Sequence, residues 1–134
     1  MLLSKALLDE LTSQAKASPR LRMNLDLRNG PTDQSQRMLN ALEPGTVMPI
    51  HRHRKSSETV VVLRGKVKWL YYNDNGEIID TFLVTPCSEL VGLCVPMGQW
   101  HSLECLESGT VILETKDGVY APIEEKDYMI LTCG

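Results

Sequence analysis

The sequence lacks any excess of positive charge, any apolar run long enough to cross a bilayer, and any closely paired cysteines. Fourteen Lys and Arg stand against 17 Asp and Glu, for a formal net charge of -3. Such a chain offers no broad attraction to phosphate backbones, so nucleic acid is not an expected partner. No stretch approaches the ~20 apolar residues needed to span a membrane, and MLLSKALLDE places acids too early for a signal peptide. No membrane partner is expected, and a cytoplasmic location is the default expectation. Cys87, Cys94, Cys105 and Cys133 form no CxxC pair, which argues against a zinc ribbon or a thioredoxin-like motif. In a reducing compartment they read as small core residues.

Histidine is scarce as well, with three in 134 residues, and their placement is informative. His51 and His53 lie in GTVMPIHRHRKSSETVVVLRG, between Gly45 and Gly65. Successive side chains on a strand point to opposite faces, so His51 and His53 project the same way. The four residues after His53 allow a turn that brings Glu58 back beside them. Two imidazoles and a carboxylate suit a borderline divalent metal such as Zn, Fe, Mn or Ni. The third histidine, His101, answers from PMGQWH.

The rest of the chain supplies a β frame. Ser4 to Lys16 places Leu7, Leu8, Leu11 and Ala15 at helical spacing, with Ser4 as N-cap and Ser18-Pro19 as the stop. Arg20 to Leu27 alternates strictly, with Leu21, Met23, Leu25 and Leu27 opposite Arg20, Arg22, Asn24 and Asp26. That is a half-buried strand whose polar face is either solvated or turned to a pocket, where Arg22 or Asn24 would hold an anionic or hydroxyl-rich ligand. Arg37, in the apolar segment Gln36 to Leu42, is a third candidate for ligand contact. Thr59 to Leu63 (TVVVL) reads as a strand buried on both faces. Lys66 to Tyr72 and Ile78 to Val84 flank Asn73-Asp74-Asn75-Gly76, the strongest hairpin signal present. Val91 to Val95, Trp100 to Leu106 and Thr110 to Lys116 follow, and EEKD near the end reads as a solvated tail. About eight short strands at this rhythm predict an all-β antiparallel sandwich or barrel.

Gly45, His51-x-His53, Glu58 and Gly65, followed by Pro96-x-Gly98-x-x-His101, resemble the two signature motifs of the cupins. SPRLRMN, QRMLNALEPGT, HRH, ETVVVLRG and the late DGVY are similar to the WbuC-type cupin-fold metalloproteins, over roughly residues 4 to 122. The resemblance implies a cupin-like double-stranded jelly roll with a short N-terminal helix. Residues 1-134 would then form a single cupin domain, with a helix at about 4-17, a barrel at about 20-120 and a short tail. It also implies one divalent metal held by His51, His53, Glu58 and His101, and an association with bacterial surface polysaccharide (O-antigen type) metabolism. Cys105 stands where general cupins carry an asparagine. Sharing a strand face with His101, it is either a small buried thiol or a soft group near the metal.

Three imidazoles and one carboxylate leave a six-coordinate ion two adjacent open positions. A carbonyl and a neighbouring hydroxyl would chelate there, as a sugar isomerase or epimerase requires; the same positions suit a non-haem iron dioxygenase. A non-catalytic metal- or sugar-binding module is the third class. With no fourth histidine, a base would be a metal-bound hydroxide, Tyr71, Tyr120, Glu104 or another carboxylate, and spacing selects none of them. Too few residues lie outside the barrel for a helix-turn-helix. Exposed jelly-roll edges make a homodimer the default assembly.

Overall fold

The computed structural model describes residues 1–129; Cys133 and the end of the expected tail lie outside them. Helix α1 (Lys5–Ala17) begins where the Ser4 hydroxyl accepts a hydrogen bond from the Leu7 N–H at 3.2 Å. Ten strands follow among the described residues: β1 (Arg22–Asp26), β2 (Ser35–Leu42), β3 (Ile50–His51), β4 (Glu58–Arg64), β5 (Val67–Tyr72), β6 (Ile78–Val84), β7 (Gly92–Val95), β8 (Trp100–Cys105), β9 (Thr110–Asp117) and β10 (Tyr128–Met129). They pair into two five-stranded antiparallel sheets, in the orders β1-β2-β9-β4-β7 and β10-β3-β8-β5-β6. The architecture is a jelly roll. Every paired backbone is satisfied by a ladder, and each sheet turns one face inward.

Two clusters lie on opposite faces of the first sheet. Inside the barrel, Leu42, Val60, Val62, Val67, Trp69, Val84, Val95, Leu103, Cys105 and Ile112 form the core. On the outer face, Leu8, Leu11 and Ala15 of α1 pack against Leu39, Ala41 and Val111, with Met23, Leu25 and Leu27 beside them. The apolar face of β1 therefore leaves the barrel and lies under the helix, while its polar face turns inward. Arg64 pins the helix by donating from Nη1 to Asp9 at 2.6 Å and from Nη2 to Thr12 at 3.0 Å.

The expected two-sided burial of TVVVL is corrected. Burial alternates along β4, with Val60 and Val62 inside and Val61 36% exposed on the outer face. The helix reaches only as far as Leu63 on that side. Gly65 ends the strand at φ +86°, and a Cβ there would lie 2.6 Å from the Thr110 Cα, so both conformation and space require glycine.

The late segment is not simply a solvated tail. A 3-10 turn, Glu125–Asp127, leads into β10, which pairs with β3. Asp127 is buried and accepts hydrogen bonds from Arg52 Nε at 3.0 Å and Arg54 Nε at 2.6 Å. Ile50, Leu70, Tyr72 and Trp100 form a small outer cluster with Met129 against it. Arg52 also stacks over Trp100 at 4.3 Å. This strap is anchored directly beside the two histidines of the first motif.

Candidate metal centre

The strand carrying the first motif is shorter than its alternation predicts. β3 ends at His51, and His53 sits in the irregular segment after it. That segment is held extended by hydrogen bonds from the Arg52 N–H to the Asp127 carbonyl and from the Gly98 N–H to the His53 carbonyl. The second of these bonds joins the two motifs, because Gly98 belongs to the turn that leads into β8.

His51 and His101 are cross-strand partners, with ring centroids 4.3 Å apart. The His53 ring lies 5.1 Å from His51 and 5.5 Å from His101. The potential ligand atoms of the three fall within 4.8 Å of one another. Glu58 comes from the opposite sheet, with Oε2 3.1 Å from His53 Nε2 and 3.6 Å from His101 Nε2. The group thus bridges the two sheets at one end of the barrel.

The protonation states suit ligation. Nδ1 of His51 lies 2.9 Å from the Pro49 carbonyl, and Nδ1 of His101 lies 2.9 Å from the Gln99 carbonyl. A carbonyl can only accept, so each Nδ1 carries the proton and each Nε2 keeps its lone pair. Burial, followed by the adjacent His101, lowers the His51 pKa to about 4.

His53 Nε2 and Glu58 Oε2 are buried, and despite their 3.1 Å separation neither has a properly directed hydrogen-bond partner among the described residues. Orphaned buried polar atoms are costly. A cation shared between them would satisfy both, and a set of three nitrogens and one oxygen suits a borderline divalent ion. The residues present fit a metal.

The group opens into a cavity of about 170 Å³. Trp69 lies parallel to the His101 ring, 5.5 Å away and 11° from coplanar, so it fixes that imidazole from below. Arg22 and Asn24 both line the cavity on the inward face of β1. Arg37 is not brought there. Its parity on β2 matches Leu39 and Ala41, which face outward, and its guanidinium donates to Asp33 and to the Leu27 carbonyl. Cys105 is on the inward face of β8 but not in the cavity. It is buried at 4% exposure in the apolar core, and its thiol donates to the carbonyls of Leu42 and Glu107.

Sequence reasoning missed Glu114 and Lys116 on β9, and Asn40 on β2, all of which line the cavity. The signal was present in TVILETK. Val111 and Leu113 pack outward with the helix cluster, which leaves Ile112, Glu114 and Lys116 to face inward. Burial and the neighbouring Glu58 charge push the Glu114 pKa up to about 8. Tyr71, Tyr120 and Glu104, the other proton-transfer candidates, do not line the cavity. Ile123 of the late segment does, and no local pattern announces it.

Comparison with solved structures places this geometry in a known fold. KdgF from Halomonas sp. superposes with a TM-score of 0.61 at 13% identity, over 77% of this chain and 84% of that one. A cupin 2 domain-containing protein from Halorhodospira halophila gives 0.61 at 16% identity, over 77% and 68%. The capsular polysaccharide assembling protein CapF from Staphylococcus aureus gives 0.67 at 24% identity, covering 85% of this chain but only 32% of CapF. At these identities the likeness shows the fold, which is the cupin jelly roll. No curated relative matches the sequence. A family model described as a domain of unknown function, DUF6016, matches residues 3–84, a span that takes in the helix, the Arg22 strand and the first histidine motif, and the chain belongs to that family.

Proposed function

We propose that the protein is a metal-dependent cupin of the WbuC type that acts on a small carbohydrate-derived molecule, as an isomerase or epimerase in bacterial surface polysaccharide metabolism. The observation that carries this reading is the convergence of His51, His53, His101 and Glu58, with buried, unpartnered ligand atoms, at the inner end of a solvent-connected cavity. The role of CapF in capsular polysaccharide assembly supports the carbohydrate link. A bound divalent ion supplies a Lewis acid for a ligand carbonyl, which eases proton removal at the adjacent carbon.

In this reading the chain's own residues divide the remaining work. His51, His53, His101 and Glu58 are the metal ligands. Arg22 and Asn24 orient the ligand from one wall, and the Glu114 carboxyl faces the same cavity as a proton-transfer group. Trp69 closes the floor and excludes water behind His101. The working unit would be a cytoplasmic homodimer.

A non-haem iron dioxygenase is the second reading, because His51, His53, His101 and Glu58 would leave a six-coordinate ion the same two open positions. Elemental analysis of protein purified without a metal-affinity tag separates the readings. Bound zinc, manganese or nickel with proton exchange at a sugar carbon supports the isomerase. Bound iron with oxygen uptake supports the dioxygenase, and stoichiometric metal without turnover of any kind identifies a binding module.

A further inference from the structure

The seven arginines of the sequence divide into two groups. Arg28, Arg37, Arg52, Arg54 and Arg64 each form an ion pair with an aspartate. Arg20 and Arg22, the two that border the cavity, form none among the described residues. Lys116, also bordering it, is likewise unpaired. Three cationic side chains therefore face two carboxyls, Glu58 and Glu114, around the same space. The excess remains positive even with both carboxyls ionised, and a divalent ion adds to it.

Arg22 is prepared for a partner that the chain does not supply. Its Nη1 donates to the Val47 carbonyl at 3.3 Å and approaches the Met48 sulfur at 3.4 Å, which fixes the guanidinium plane. Its Nε is buried without a hydrogen-bond partner among the described residues. The Nε–Nη2 edge is the one that takes an oxyanion side-on through two parallel hydrogen bonds. Asn40 Oδ1, on the neighbouring strand, is also buried and unpartnered.

Size narrows the occupant further. The cavity holds about 170 Å³, close to the roughly 150 Å³ that encloses one benzene-sized molecule and below the range of about 300–1,000 Å³ typical of sites for larger ligands. A nucleotide sugar would not be enclosed.

We propose that the occupant is a small acid of monosaccharide size or less, whose carboxylate or phosphate pairs with Arg22 and Lys116 while its uncharged oxygens face the histidine end. This rests on the metal-site reading only for what lies at that far end; the anion pairing stands on the cationic wall.

The test is calorimetric titration of untagged, metal-loaded protein with glucuronate, glycolate, glucose 6-phosphate and glucose, alongside metal analysis of every sample. At least one anion should bind with glucose far weaker, and Arg22→Gln should weaken that anion about tenfold or more, as loss of a charge-assisted pair does, with metal content unchanged. Lys116→Gln, which removes a point charge and not a two-bond guanidinium edge, should weaken it to a smaller degree and serves if Arg22→Gln fails to fold. Preference for the carboxylates or for the phosphate assigns the anionic group. Glucose binding as tightly as every anion, or unchanged anion affinity in both variants, overturns the proposal. Anion binding through Arg22 in a protein that holds no metal leaves the proposal standing and removes the metal reading.

Discussion

Strand β8 carries His101 near one end and Cys105 at the other, on the same inward face, and the two ends meet different surroundings. At the His101 end the barrel interior is polar, with a second imidazole across the ladder, a carboxylate from the opposite sheet and an open cavity. At the Cys105 end it is filled, with the thiol packed among Leu42, Val67 and Val84 and donating to backbone carbonyls. Alternation fixes which face a residue takes. It does not fix how far along the barrel axis the residue lies, and depth along the axis separates the metal end from the sealed end.

Removing the metal should have the largest effect, and only through the open end. With free metal about 1,000-fold above its dissociation constant, an ion bound only by the folded state contributes about 4 kcal/mol. His101→Ala, or a chelator added to the unaltered protein, should lower thermal stability by that order, and adding chelator to the variant should then change nothing more. Thermal denaturation with and without chelator checks this.

The sealed end should respond to packing alone. Leu42→Ala removes a fully buried side chain from the core, and should cost about 2–5 kcal/mol by denaturant titration with metal content unchanged. Cys105→Ala, in the same cluster, should cost about 1 kcal/mol and leave metal content and metal spectra unaltered. Metal loss in Cys105→Ala would erase the distinction between the two ends.

The last effect is a matter of pH in the metal-free protein. Glu114 ionises near 4.5 in the unfolded chain and near 8 when folded, so the folded state binds the extra proton and this group's contribution to stability falls as pH rises between those values. His51 acts in the opposite sense. Its folded pKa of about 4 lies below the ordinary 6.5, so stability is lost as pH falls through that window. The two contributions oppose each other below about pH 6.5, leaving a net decline from there to pH 8. Glu114→Gln should abolish that decline, and denaturant titrations at pH 6.5 and 8 read it directly.

Much of the fold was legible because strand alternation, Asn73–Gly76 and the glycine turns are local signals. Helix α1 differs from its expected span by one residue at its end, because Ser4 caps it and Ser18-Pro19 closes it. The grouping of the four metal-ligand candidates was legible for a different reason: spacing on two motifs survives even though β3 stops at His51. What was not legible depends on tertiary placement. Arg37 and Arg22 are equally polar in sequence, but only strand parity relative to the helix sends one outward and the other to the cavity. Glu114 and Lys116 look like ordinary strand-end charges until β9 is paired with β4, where Lys116 sits opposite Glu58. The late EEKD run looks solvated until Asp127 meets Arg52 and Arg54, which are more than seventy residues away.

The most direct test of the central claim is metal stoichiometry by plasma mass spectrometry on untagged protein, for the unaltered chain and for His51→Ala/His53→Ala. Close to one divalent transition metal per chain is expected in the first and almost none in the second, with the β-sheet circular dichroism spectrum retained in both. A metal-free unaltered protein, or equal metal content in the two, would contradict it.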